Sequence, residues 1–167
     1  MRATLRLAAL GAVLVLAAAA LAAGPGALEG TVVRVVDGDT VHVRLGDRVE
    51  RVRYIGVNTP EVHHPTKGEE PGGRAAALVN RRLVAGKRVR LALDVQARDR
   101  YGRLLAYVWA DGVMVNAELV RLGMAQPMTI PPNVRHAPLF RDLAREARAA
   151  GRGLWSAAPG VPSTRSR

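Results

Sequence analysis

Two short turns carry acidic or amide oxygens beside strand-like runs: Asp37-Gly38-Asp39-Thr40 and Asn58-Thr59-Pro60-Glu61. If those runs pair antiparallel, both turns reach one end of the same sheet. Asp39, Asn58, the Thr59 carbonyl and Glu61 then make a set of hard oxygen donors. Such a set suits Ca²⁺, which takes roughly six to eight oxygens in loose geometry, and it is too poor in nitrogen and sulfur for zinc. Asp-Gly-Asp alone also reads as an ordinary hairpin turn. Arg53, on the run that enters the second turn, could clamp a phosphate through two parallel hydrogen bonds; the alternative is a solvated sheet arginine, as expected for Arg51. Arg103, in DRYGRLLAY just after Gly102, is a second candidate, because glycine lets the backbone bend there and so aims the arginine. Together these groups describe phosphodiester hydrolysis. A divalent cation neutralises phosphate oxygens, Glu61 takes a proton from an attacking water, and two arginines stabilise the added charge on phosphorus. One such donor is worth roughly 3–4 kcal/mol of barrier.

The elements that must position these residues are mostly strands. Thr31–Val36 is β-branched apart from Arg34. Val41, Val43 and Leu45 alternate with Thr40, His42 and Arg44, and Gly46-Asp47 makes a hairpin turn. Arg48–Ile55 puts Val52 and Tyr54 on one face and Arg51 and Arg53 on the other. Arg88–Leu93 repeats the alternation, and Leu104–Trp109 is a fifth, more apolar strand closed by Asp111-Gly112. Three helices follow from apolar stripes and glycine stops. Arg74–Ala85 carries Leu78, Val79 and Leu83; Val115–Leu122 ends at Gly123; Pro138–Ala150 carries Leu139, Leu143 and Ala147, with Phe140 and Ala144 beside them. Leu154-Trp155 is expected to pack back on the core. Five strands in a meander with three helices fit a mainly β fold with α, a small closed barrel of the OB type; an SH3-like barrel reads similarly.

The chain has 167 residues, enough for one domain with tails. Lys and Arg number 25 against 14 Asp and Glu, a net charge of +11. That balance points to an anionic partner, nucleic acid or an anionic membrane surface; a compositional bias toward Arg and Ala is the bland alternative. There are no cysteines, which excludes disulfides and Cys-based zinc sites. Arg2 and Arg6 precede the uncharged run Leu7–Ala23, and Ala20-Leu21-Ala22 offers a small-x-small cleavage site before Gly24-Pro25-Gly26. Residues 1–22 therefore read as a secretory signal peptide, with an uncleaved membrane anchor as the alternative. The domain spans 27–155, and 156–167 reads as a disordered tail. His63-His64 and His136 read as surface residues.

Four blocks in order, VVDGDTVHV, RVRYIGVNTPEVHHP with KG shortly after, DRYGRLLAYVWADGVMVNAELVRLGMA and GRGLW, resemble the thermonuclease family, the staphylococcal-nuclease-like domain, over about Leu28 to Trp155. The resemblance implies an OB-fold barrel with three helices. It also implies a secreted, Ca²⁺-dependent enzyme that cuts DNA and RNA and leaves 3′-phosphate ends. Carried over residue by residue, Arg53, Glu61 and Arg103 match the catalytic trio, while Asp39, position 58 and the Thr59 carbonyl match the calcium ligands. Lys67 and Tyr101 match positions near the substrate's phosphate and sugar. Two departures stand out. Position 58, aspartate in the family pattern, is Asn, which removes one negative charge from the site. Met128, Thr129 and Ile130 stand where the family carries tyrosines that pack on the nucleotide, leaving Tyr101 as the main ring. A catalytically silent OB-fold module that binds nucleic acid or protein is the competing reading, favoured by Asn58 and disfavoured by the intact trio. No stable protein partner and a monomer are expected, since no long apolar stripe is left over.

Overall fold

Period-two placement of valines against Arg, Thr and His builds the sheet. The computed structural model describes residues 27–62 and 68–156. The leader 1–22, His63-His64, Lys67 and the tail from 157 lie outside them. Strands β1 (Ala27–Val35), β2 (Thr40–Leu45) and β3 (Arg48–Tyr54) form an antiparallel meander. Its inward positions Val32, Val41, Val43 and Val52 are fully buried, as alternation requires. The next elements are a two-residue strand, β4 (Val57–Asn58), helix α1 (Gly73–Val84), β5 (Arg88–Ala92) and β6 (Leu104–Ala110).

The expected five-strand meander holds only for the first three. Helix α1 carries the chain across to the free edge of β1, so β5 pairs with β1, β6 pairs with β5, and β6 closes parallel onto β3 with Leu105 opposite Arg53. The order β3-β2-β1-β5-β6, closed on itself, is a five-stranded barrel of the OB type with three helices. After it come β7 (Val113–Met114), α2 (Val115–Arg121), β8 (Gln126–Pro127) and α3 (Ala137–Ala149). β8 pairs with β4, Val57 opposite Pro127 and Asn58 opposite Gln126.

Two helices are rotated from the expected stripes. Leu78 is 49% exposed and Leu139 is 42% exposed. Helix α1 buries Ala76, Asn80 and Val84, and α3 buries Phe140, Ala144 and Ala147. Gly56 explains α3: a Cβ there would meet Phe140 Cε2 at 2.6 Å, so one edge of the ring packs on bare backbone and Leu139 is left outward. Asn80 explains α1. Its Oδ1 accepts from the Tyr54 hydroxyl at 2.9 Å and its Nδ2 donates to the Asp37 carbonyl at 2.9 Å, which fixes a polar residue in the interface. Beyond α3, a 3₁₀ turn (Gly153–Trp155) packs back as expected. The Leu154 amide donates to the Gly123 carbonyl at 2.9 Å, and the Arg148 guanidinium lies 4.2 Å from the Trp155 ring centre.

Candidate active site

The register of β2 on β3 sets Thr40 opposite Arg53 at the barrel's end. Arg53 is 9% exposed, so its guanidinium must find partners in the protein. Nη1 donates to the carbonyls of Tyr54 and Val57, each at 2.9 Å. Nη2 donates to Asn58 Oδ1 at 3.0 Å and lies 3.1 Å from Asp39 Oδ2. One side chain thus ties the end of β3 to both turns. The alternative of a solvated sheet arginine does not hold, and the fork is not free: Tyr54, Val57, Asn58 and Asp39 occupy its Nη groups, while among the described residues Nε has no hydrogen-bond partner.

Asp39 is 4% exposed. Its Oδ2 also accepts the Thr59 amide at 2.8 Å, and Oδ1 accepts the Thr40 hydroxyl at 3.1 Å. Burial pushes its carboxyl up to about 6, against the lowering pull of Arg53 and the Thr59 amide. Gly38 is required beside it, because a Cβ there would meet Thr59 Oγ1 at 2.6 Å. Asp39, Arg53, Asn58 and Thr59, drawn from both turns, therefore form one hydrogen-bonded cluster, as the sequence suggested.

Arg103 arrives from β6. Gly102 at φ 77° makes the bend expected of it. Asp99 organises the turn: its Oδ1 accepts the amides of Tyr101 and Arg103 at 2.9 Å each, and its Oδ2 accepts Arg103 Nε at 2.7 Å. Burial works to raise the Asp99 carboxyl, but these bonds together hold it below the usual carboxylate range. The Tyr101 ring has Arg100 at 4.8 Å and Arg103 at 5.5 Å. Arg53, Arg103 and Tyr101 line one cleft of about 460 Å³ whose apolar side includes Leu105, Met128 and Ile130.

Glu61 is exposed just beyond β4. Its backbone is pinned to the approach of α1: the Glu61 amide donates to Glu70 Oε2 at 3.0 Å, and its carbonyl accepts the Glu70 amide at 2.9 Å. Its carboxylate is outside the Asp39–Arg53 hydrogen bonds and outside the cleft lining, and Lys67 is outside the described residues. Asn80 and Asp99 went unread in the sequence. Asp99 had a signal, an acid four residues before the arginine it aims; Asn80 had none, being one amide in an amphipathic helix.

For a metal, the oxygen donors near Asp39 are its own buried carboxylate, the Asp37 carboxylate, whose Oδ1 accepts the Asp39 amide at 3.1 Å, and the Asn58 amide oxygen, which shares Arg53 Nη2 with Asp39; the Thr59 carbonyl is the further donor the sequence suggests. A carboxylate whose burial disfavours its charge gains from a cation, so the set fits a hard divalent ion. Among the described residues no group of three His, Cys, Asp or Glu side chains is placed to hold a metal.

A family model described as "Staphylococcal nuclease homologue" matches residues 51–157. The chain belongs to the staphylococcal nuclease family. Relatives in this family include the thermonuclease of Staphylococcus intermedius, 39% identical over 122 residues, which are 73% of each chain. The thermonuclease of Staphylococcus hyicus is 36% identical over 125 residues, 75% of this chain and 74% of that one. Endonuclease YncB of Bacillus subtilis is 37% identical over 128 residues, 75% of this chain and 61% of that one. The matched staphylococcal nuclease span contains Arg53, Asn58, Glu61 and Arg103, and so most of the site just described.

Proposed function

We infer that this chain is a nuclease that hydrolyses phosphodiester bonds, and that it is a secreted, Ca²⁺-dependent enzyme cutting DNA and RNA without strong sequence preference to leave 3′-phosphate ends. The observation that carries this reading is the cleft in which Arg53 and Arg103 meet beside the oxygen donors of Asp39, Asn58 and Thr59. Those three residues would hold the ion; bound there, Ca²⁺ supplies positive charge against the phosphate's non-bridging oxygens. Arg103, its Nε fixed by Asp99, offers its Nη groups to the same phosphate. Arg53 offers Nε, while its Nη groups keep the two turns together. Glu61, at the rim, orders the attacking water and accepts its proton. Tyr101 stacks on sugar or base and Lys67 binds a neighbouring phosphate. Met128 and Ile130 supply an apolar wall in place of rings, so base contact is weaker by roughly 1–3 kcal/mol for each lost stack. Leader removal releases the domain as a monomer outside the cytoplasm.

Protein lacking residues 1–22, mixed with plasmid, denatured DNA and RNA, tests this. Degradation requires Ca²⁺, stops with a chelator and falls by roughly 10²–10⁴-fold in Glu61→Gln. Gel retardation without cleavage by the unaltered protein overturns it in favour of a silent binding module, the reading that Asn58 favours.

A further inference from the structure

Beyond the Thr40–Arg53 rung, the next outward rung of the same strands pairs His42 with Arg51, and His42 is in turn opposite Arg34 on β1. Directly opposed residues on adjacent strands share a face, with Cβ atoms roughly 5 Å apart. Three basic side chains therefore stand abreast on the outer face of the barrel. Arg34 and Arg51 are exposed and His42 is half-buried. Burial, then the charges of Arg34 and Arg51, hold His42 below the usual imidazole range, which agrees with that closeness.

Arg34 and Arg51 flank His42 from the two neighbouring strands, and the register puts no carboxylate in this row. Some surface cations are paired, Arg88 with Glu29, Arg98 with Glu50 and Lys87 with Asp111, while others such as Arg44 and Arg141 have no salt bridge among the described residues. Among the described residues no carboxylate forms a salt bridge with Arg34 or Arg51. Arg34 also lines a groove of about 490 Å³ between β1 and the end of α1, which Arg81 lines as well. The rung step from Arg53 to Arg51 is about 7 Å along the strand, comparable with one extended nucleotide. From there the row crosses two strands and enters the groove.

We propose that Arg51, Arg34 and Arg81 form a track for the phosphates of a single-stranded flank of the substrate, leading away from the cleavage cleft. This rests on the nuclease reading above. The occupant is the sugar–phosphate backbone: the row presents guanidinium groups and no phenol or indole ring on which a base could stack. An extended single strand can follow a cross-strand row and then turn into the groove, and each phosphate it sets on an arginine releases counterions.

Fluorescence anisotropy in chelator, with an oligonucleotide of about 20 deoxynucleotides and with a dinucleotide, tests the track. Arg34→Ala/Arg51→Ala binds the long strand about tenfold more weakly, and its log affinity against log salt flattens by roughly 1.4, or 0.7 per lost contact. Arg141→Ala/Arg145→Ala, which removes the same charge from α3, leaves that slope in place. An unchanged slope, or equal weakening on the dinucleotide, overturns the track. Cleavage is scored separately. A protein that cuts but shows no track-dependent slope fails this proposal alone; one that binds with the slope but never cuts fails the nuclease reading and keeps the track.

Discussion

Arg51 and Arg53 are two residues apart on β3 and point to the same face, yet one is solvated and the other is 9% exposed. The strand does not distinguish them. What differs is the cover: Val57 and Asn58 of β4 and the Asp39 turn close on the Arg53 guanidinium, whereas among the described residues no carboxylate forms a salt bridge with Arg51. Under that cover a guanidinium becomes an architectural part, committed to two carbonyls, an amide and a carboxylate. In the open it stays available to an outside anion. The same residue type on one strand face thus serves construction or contact according to what the rest of the chain lays over it.

The sharpest way to break this contrast is Arg53→Ala against Arg51→Ala. Removing Arg53 strands the Asp39 carboxylate and two carbonyls, and breaking a buried pair from one side costs roughly 3–5 kcal/mol. Removing Arg51 stays within about 0.5 kcal/mol. Urea denaturation of both variants measures this, and similar losses would erase the distinction.

A second effect of nearly that size follows from pH. The Asp39 carboxyl is raised in the folded protein, so between about 4 and 6 the native state binds more protons than the unfolded one, and stability contributed by this group falls as pH rises. In chelator, wild type should lose up to about 3 kcal/mol relative to Asp39→Asn between pH 4 and pH 6.5. A pH-independent difference between the two would show that Arg53 already neutralises the burial cost.

Asn80→Ala comes next. It leaves the Tyr54 hydroxyl and the Asp37 carbonyl without partners and costs roughly 1–3 kcal/mol by denaturation. Smaller again is Asn58→Asp, which restores a charge beside Arg53 and should tighten Ca²⁺ binding about tenfold by calorimetry. Equal affinities would mean that the amide oxygen serves as well as a carboxylate.

The strands and the two turns were legible because period-two alternation and Asp-Gly and Thr-Pro punctuation are local signals. Membership of Asp39, Asn58 and Thr59 in one cluster followed from strand adjacency alone. The burial of Arg53 was not legible, since it depends on how β4 turns back over the end of β3, and a two-residue strand has no period to read. The rotations of α1 and α3 were hidden for a related reason. Each is set by one tertiary fit, Asn80 on the turn and Phe140 on Gly56, that outweighs a larger but solvated leucine. The return of the fourth long strand to β1 rather than β3 likewise depends on where a crossover helix lands.

Gly123 and Gly153 meet back to back: a Cβ on the first would meet the Arg152 carbonyl oxygen, and one on the second would meet the Gly123 carbonyl oxygen at 2.5 Å. The fold is therefore latched by residues close to the last ones described. While the ribosome still holds that stretch in its exit channel, α2 lacks its neighbour and the barrel stands unlatched. The last turn of the fold therefore has to be delivered before the end of α2 gains its packing partner.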